Sequence, residues 1–435
     1  MKLAAGVLLA GAASRLLPAS IPFRFFGAAV AYHLLAWIAL SADAQSVPRF
    51  AGGLGWPLAA LHLVTLGVLA MTAIGASLQL LPVATRQPVL SKRWPAAIWW
   101  LYTPGVAAVA LGMGIPAPRL LAGGAIAVVA ALGGYALLLA RNLIGARGMP
   151  VVIEHGWAAL ASLVVVLASA LSLAGAYVGL PGLERGMALA WHVSFAAYGF
   201  MGLLAFGLSY ILVPMFALSA APDERRARVS LSLAVVALLL SAIAASGVVA
   251  QPLGIAAIVT GAGAVALHWR LMHVALKTGM RRQLGRSLTL VRMAWAMLAA
   301  SLAAALGVVL DAPFDGMAAL FGLLLIGGWL LSFLLGILQR IVPFLASMHA
   351  GAGRRQPPTP SSLTAERPLS IHFVCHLGGL ALLAVAILAD SPRIGFAGAL
   401  LGTAGAVAFA TFFAIVVRRM SVAGVDAGRR EASAS

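Results

Sequence analysis

Histidine is the residue type in this chain that is best suited to chemistry inside its apolar segments. The 435-residue sequence has nine histidines, one cysteine and eleven carboxylates. Neutral imidazole is a good ligand for haem iron, copper and zinc. A single cysteine, Cys375, allows no intrachain disulfide and no CxxC site. All the carboxylates lie in or beside the loops between apolar runs, so the histidines are the main candidates for chemistry.

The composition places those histidines in a membrane protein. The chain is 62% hydrophobic and 9% charged, whereas soluble domains are about 45–50% apolar and about 25% charged. Its apolar runs approach the roughly 20 residues that cross the hydrocarbon of a bilayer. These runs lack the alternation of barrel strands, and lipid cannot satisfy an open backbone, so they should be helices. The sequence therefore predicts an all-α membrane protein embedded in a lipid bilayer.

Twelve spans are predicted within a single polytopic membrane domain over residues 22–417. The predicted spans are 23–42, 57–82, 95–113, 120–140, 157–178, 186–216, 229–249, 252–275, 288–310, 316–343, 370–389 and 393–417. Residues 1–21 fit a signal-like segment, an interfacial helix or an extra N-terminal span. The Pro- and Ser-rich stretch 349–369 is typical of a flexible cytoplasmic loop, and 418–435 is a basic tail.

The basic residues predict how the bundle is oriented. Alternate loops carry clusters of arginine and lysine at 86–93, 141–147, 225–228, 277–286 and 354–367. The remaining loops carry at most one arginine each. By the positive-inside rule the basic loops are cytoplasmic, so both ends of a twelve-span bundle face the cytoplasm of a bacterial-type inner membrane. This cytoplasmic excess explains most of the formal charge of +18, and no nucleic-acid partner is predicted.

Three predicted spans end in the same way. The segments are Gly75-Ala-Ser-Leu-Gln-Leu-Leu-Pro82, Gly207-Leu-Ser-Tyr-Ile-Leu-Val-Pro214 and Gly336-Ile-Leu-Gln-Arg-Ile-Val-Pro343. The copies are separated by 132 and 129 residues and fall on spans two, six and ten. A repeat in one direction predicts a pseudo-threefold bundle of four-helix groups, although Gly and Pro are also simply frequent in membrane helices. The glycines should allow close helix approach, and the prolines should end the helices.

Two of the repeated spans carry a histidine near their predicted outer ends, His62 and His192. Twelve spans in three groups of four, with both ends inside, resemble subunit I of the haem–copper oxidase superfamily. In that family a low-spin haem histidine on span two precedes a Gly-rich segment and a proline, as His62 precedes Pro82. A copper-ligand histidine lies on span six, where this chain has His192. The resemblance covers most of the chain in architecture, but only spans two, six and ten in motif.

The resemblance implies a haem b, with His62 as the first choice for an axial ligand and His192 as the second. His33 on span one is a further partner. Copper is implied less strongly, because spans seven and ten lack the other ligand histidines of the family. The chain is instead similar to divergent members such as cbb-type subunit I and the nitric-oxide-response membrane proteins. Electron transfer, or nitric-oxide or oxygen handling without a complete oxidase centre, is expected, with a cytochrome c or another redox subunit as partner.

A second group of histidines lies on spans eight and eleven. His372 and His376 are four residues apart and share a helix face, a spacing that can chelate one metal ion. His268 could join them if these two spans touch. The simpler interpretation is a set of interfacial histidines beside Trp269 and Arg270, where aromatic and basic anchors are expected.

A different class of protein also fits the sequence. The Gly-rich spans could line the path of a cofactor-free transporter or facilitator. The lack of carboxylates in the span interiors counts against ion coupling, but not against a facilitator. An assembly or regulatory membrane subunit is a third class, and the sequence does not decide whether the protein is an enzyme.

Overall fold

The computed structural model describes residues 17–87, 93–281, 285–350 and 358–432. Within these ranges it contains twelve helices long and apolar enough to span a membrane and no strand, which confirms the all-α membrane class. The helices are α1 Ser20–Ala42, α2 Trp56–Ala84, α3 Arg93–Gly114, α4 Pro118–Ile144, α5 Pro150–Ala176, α6 Arg185–Ala217, α7 Glu224–Ala244, α8 Ala250–Thr278, α9 Gly285–Val309, α10 Met317–Ala350, α11 Glu366–Leu388 and α12 Pro392–Ala432.

Each predicted span corresponds to one of these helices. Most helices extend a few residues beyond the apolar run, because a helix continues into the polar interface where water satisfies its end groups. The largest difference is at α12, which continues to Ala432 rather than ending at 417, and α5 begins at Pro150 rather than at 157. Proline is favoured in the first turn, where its missing N–H has no intrahelical partner in any case. The apolar run therefore gives the position of a span better than it gives the ends.

The stretch 349–369 is only partly covered, since residues 351–357 lie outside the described residues, as do residues 1–16 of the N-terminal segment. Its described part includes a short helix, Pro360–Leu363, between α10 and α11. Arg419 of α12 donates hydrogen bonds to the carbonyls of Ser362, Leu363 and Thr364 at 3.2, 3.3 and 2.7 Å. The basic end of α12 is thus attached to this stretch.

The three repeated helices share a second feature that the sequence motif does not reveal. Each contains a π-helical segment: Leu63–Ala70 in α2, Phe195–Gly202 in α6 and Leu323–Leu331 in α10. Each segment ends five residues before the repeat glycine, which is Gly75, Gly207 or Gly336. The π segment of α10 packs against the other two. π-Helical turns are rare and are often found at functional sites. The region where the three π segments meet is therefore the candidate location of a functional site.

The repeat glycines lie where each of these helices crosses the helix before it. A Cβ on Gly75 would lie 2.7 Å from Cβ of Phe25 in α1, and a Cβ on Gly207 would lie 2.7 Å from Cβ of His155 in α5. A Cβ on Gly336 would lie 2.7 Å from the backbone oxygen of Ser287 in α9. These distances confirm the close helix approach predicted for the glycines.

The prediction that the repeat prolines end their helices was wrong. Pro82, Pro214 and Pro343 all lie inside helices, which continue to Ala84, Ala217 and Ala350. A proline removes one backbone hydrogen bond and crowds the preceding turn. Inside a membrane bundle, neighbouring helices can satisfy the carbonyl that is left free, so the helix is not forced to stop.

Glu184 caps the amino terminus of α6 and gives a testable pH dependence. Its carboxylate accepts hydrogen bonds from the backbone nitrogens of Gly186 at 2.8 Å and Met187 at 2.7 Å. These bonds hold the pKa of Glu184 below its ordinary value. A carboxylate with a lowered folded-state pKa stabilises the fold above the unfolded-state pKa, and this contribution is lost as the pH falls through the folded-state pKa.

We therefore expect Glu184→Gln to lower the thermal unfolding temperature of the detergent-purified protein at pH 7. The difference from wild type should shrink as the pH falls below about 4.3, the ordinary pKa of glutamate. Unfolding curves recorded from pH 7 down to pH 3 measure this. A difference that stays constant over that range would contradict a role for the charged carboxylate.

Candidate cofactor site

The structure brings together the two histidines of the repeated helices. His62 of α2 and His192 of α6 have ring centroids 6.3 Å apart, with ring planes inclined by only 21°. His62 directly precedes the π segment of its helix, and His192 lies three residues before that of α6. Both side chains are half-buried. The first two choices of the sequence analysis therefore face each other across neighbouring helices.

A backbone carbonyl assigns the tautomer of His62. Nδ1 of His62 lies 3.0 Å from the carbonyl oxygen of Leu58. Because a carbonyl can only accept, Nδ1 carries the proton and Nε2 keeps its lone pair. Nδ1 of His192 is buried and has no hydrogen-bond partner among the described residues, so the backbone orients only the ring of His62. Metal-ligating histidines commonly direct their second ring nitrogen to a backbone carbonyl in this way.

The donor set suits haem better than a metal held by side chains alone. Within the described ranges, no group of three or more His, Cys, Asp or Glu is placed to hold a metal ion. Zinc and copper sites usually take three or four such ligands, whereas haem iron needs one or two. Two imidazoles that share one metal ion have ring centres about 6 Å apart, because each metal–nitrogen bond is about 2 Å long. The His62–His192 pair meets that separation.

The third repeated helix contributes no histidine to this pair. The residues of α10 that stand one and three positions before its π segment are Gly322 and Leu320. Trp329 in that segment instead stacks on Tyr198 of the α6 segment, with ring centroids 5.7 Å apart. The donor pair therefore belongs to α2 and α6 alone.

Sequence reasoning missed the aromatic residues that support the π segments. The hydroxyl of Tyr102 in α3 donates a hydrogen bond to the carbonyl oxygen of Leu66 at 3.1 Å. Trp329 is almost completely buried, and a Cβ on Gly202 would lie 2.9 Å from its ring. Aromatic residues are common throughout the spans, so no sequence signal separates these from core residues.

His33, the further haem partner suggested by the sequence, lies in a different cluster. Its ring centroid is 6.2 Å from that of His372, and His372 is 5.3 Å from His376. The i, i+4 pair of α11 therefore meets α1 rather than α8.

His268 lies apart from that cluster, beside α6. Its Nδ1 is 3.0 Å from the hydroxyl of Tyr210, and its ring stacks on Phe206 at a centroid distance of 3.7 Å. His268, His372 and His376 are each at most 1% exposed. The interfacial interpretation is therefore wrong for these three, because an interfacial anchor has to reach the membrane surface.

Among known proteins, only solved structures match this chain. No protein-family model and no curated protein matches the sequence. Among solved structures, a haem–copper terminal oxidase dimer matches with a TM-score of 0.58 and 11% sequence identity, covering 94% of this chain and 84% of that chain. At this identity the likeness shows the fold alone. The resemblance inferred from the spans and the repeat is confirmed at that level: this multi-pass membrane chain has the fold of the haem–copper terminal oxidases.

Proposed function

We propose that the protein is an integral membrane haem protein in which His62 and His192 would hold one b-type haem. The observation that carries this proposal is the facing pair of imidazoles, 6.3 Å apart. The Leu58 carbonyl fixes the His62 tautomer that leaves Nε2 free for iron. When bound, a haem of this kind supplies a one-electron redox centre.

The arrangement favours electron transfer over nitric-oxide or oxygen handling. Two histidine ligands leave no axial position for a diatomic gas. In addition, α7 contains no histidine, and the matching positions of α10 are glycine and leucine. The chain therefore lacks the side chains that the oxidase family uses at its oxygen-reducing centre, which supports the proposal of a redox protein that is not a complete oxidase.

The depth of the site favours exchange of electrons with a partner at one membrane face. His62 is the seventh residue of α2 and His192 the eighth of α6. At about 1.5 Å rise per residue, both rings lie about 10–12 Å from the starts of their helices. The charge pattern predicts that this end faces outward. At this depth the haem would be close enough to the outer surface to exchange electrons with a cytochrome c or another redox subunit on that side.

The absorption spectrum of detergent-purified protein tests the proposal. We expect a Soret band, sharp α and β bands after reduction with dithionite, and about one haem b per chain by the pyridine haemochrome assay, since one pair of ligands serves one iron. Carbon monoxide should change the reduced spectrum little, because both axial positions are taken. Absence of a Soret band together with absence of stoichiometric iron would remove the proposal and leave the facilitator class, which a flux assay in liposomes addresses.

A further inference from the structure

Three histidines form a second buried cluster that the proposed haem site does not use. They are His33 of α1 and His372 and His376 of α11, each at most 1% exposed. The rings of His33 and His372 meet edge to face at 6.2 Å, and those of His372 and His376 are nearly parallel at 5.3 Å. We call these three residues the α1–α11 histidine cluster.

The hydrogen bonds of the two α11 histidines assign their tautomers. Nδ1 of His372 lies 3.0 Å from the carbonyl oxygen of Gly405, so Nδ1 carries the proton and Nε2 has a lone pair. Nε2 of His376 lies 2.8 Å from the hydroxyl of Ser332, which itself donates to the carbonyl of Gly327 at 2.9 Å. That hydroxyl must accept from His376, so the lone pair of His376 is on Nδ1.

His33 has the opposite character. Its Nε2 accepts a hydrogen bond from the indole nitrogen of Trp37 at 3.1 Å, so the neutral ring carries its proton on Nδ1. Nδ1 of His33, Nε2 of His372 and Nδ1 of His376 are all buried and have no partner among the described residues. The cluster therefore presents one unused donor and two unused acceptors.

We propose that the α1–α11 histidine cluster binds one water molecule and can hold one excess proton. A water molecule can accept one hydrogen bond and donate two, which is the complement of one N–H and two lone pairs. Buried waters typically make about three hydrogen bonds to polar groups that would otherwise be unsatisfied. Buried polar atoms are nearly always hydrogen-bonded, so a water molecule with this pattern would satisfy all three nitrogens.

Counting hydrogen bonds gives the proton capacity of the site. A proton added to Nε2 of His372 makes that ring a second donor to the water, whose two lone pairs accept from His33 and His372. The water still donates one hydrogen to Nδ1 of His376, and its other hydrogen loses its acceptor. A second proton, on His376, would present three donors to two lone pairs and place two positive charges in contact. The site therefore takes up one proton and not two.

The described side chains around the cluster carry no charge that would fix the protonation of any one ring, so the three rings compete for the same proton. Among the described residues outside the cluster, the side chains that hydrogen-bond to the rings or pack on them as aromatic rings are Trp37, Ser332 and Phe409, none of which carries a charge. Cys375 is a further titratable side chain, at the α11–α12 contact beside Gly405. In a membrane protein whose carboxylates all lie in or beside loops, such a cluster supplies a proton-accepting group within the spans.

Solid-state NMR of full-length protein labelled with [15N]histidine, in lipid bilayers, tests this inference without depending on haem. We expect two rings of the cluster to be Nδ1–H tautomers and one to be an Nε2–H tautomer, with magnetisation transfer from bulk water to the three unpartnered nitrogens. Lowering the pH should convert one ring of the three to imidazolium. His33→Gln, His372→Gln and His376→Gln assign the signals, and His273→Gln, at an exposed histidine, is the matched control.

Two results would overturn the inference. One is an absence of water transfer to all three nitrogens in the wild-type protein, which needs no variant to be stable. The other is formation of two or three imidazolium rings in the cluster as the pH is lowered.

Discussion

Replacing His62 with alanine is expected to abolish the low-spin haem spectrum of the purified protein. The ring of His62 has a free Nε2 and faces His192 at 6.3 Å, so its removal leaves at most one axial ligand. Loss of residues that merely support a metal ligand costs about 10–100-fold in metal affinity, and loss of a ligand should cost at least about tenfold in haem content on the same scale. His192→Ala should have the same effect, and the double variant should contain no haem.

Rescue by free imidazole separates a ligand role from a structural one. In His62→Gly, the missing ring leaves space next to His192, and added imidazole should restore the six-coordinate spectrum. Imidazole should restore nothing in a variant that has lost haem through misfolding. Size-exclusion chromatography of each variant reports whether the fold is kept.

Two matched substitutions serve as controls. His273→Ala removes an exposed histidine and should leave the haem content unchanged. His33→Gln changes the histidine that the structure places beside His372, and it should leave the low-spin spectrum in place as well. A wild-type spectrum in both His62→Ala and His192→Ala would contradict the proposed ligands. Loss of haem in His33→Gln alone would return His33 to the ligand set.

The spans and their order were predictable because hydropathy reports directly on length and burial in lipid. The sequence placed His62 and His192 near the same ends of equivalent spans, since both stand a similar distance before a repeat glycine, Gly75 or Gly207, but it did not predict that their rings meet. Helices at equivalent places in a pseudo-rotation bring such positions to the same depth. The repeat motif therefore indicated that the two histidines lie at a similar depth in the membrane, which the sequence of a single span does not indicate.

The rotation of each helix about its axis could not be predicted in the same way. These spans are apolar on all sides, so the sequence does not mark which face meets a neighbour. That is why His33 was considered with His62, although it meets His372, and why His268 was considered with His376, although it meets Tyr210. The π segments of α2, α6 and α10 were not predicted from the sequence either.

Gly336→Ala is expected to destabilise the protein strongly for so small a change. The added methyl group would lie 2.7 Å from the backbone oxygen of Ser287, 3.0 Å from Cγ2 of Val291 and 3.2 Å from Cβ of Leu290. A backbone oxygen cannot turn away as the end of a side chain can, so α9 and α10 must move apart. Overpacking of this kind typically costs about 1–3 kcal/mol, against about 0.8–1.0 kcal/mol gained by any Gly→Ala change in a helix interior, so the thermal unfolding temperature should fall below that of wild type.

Gly322→Ala on the same helix is the matched control, because a Cβ there meets nothing within 4 Å. Glycine costs about 0.8–1.0 kcal/mol relative to alanine in a helix interior. The control substitution should therefore raise the unfolding temperature slightly or leave it unchanged, so the two variants are expected to shift in opposite directions. Scanning fluorimetry in detergent measures both. If Gly336→Ala unfolds at the same temperature as Gly322→Ala or higher, the close crossing of α9 and α10 at the repeat glycine is not what holds these helices together. The role of the glycines in the threefold repeat would then need another explanation.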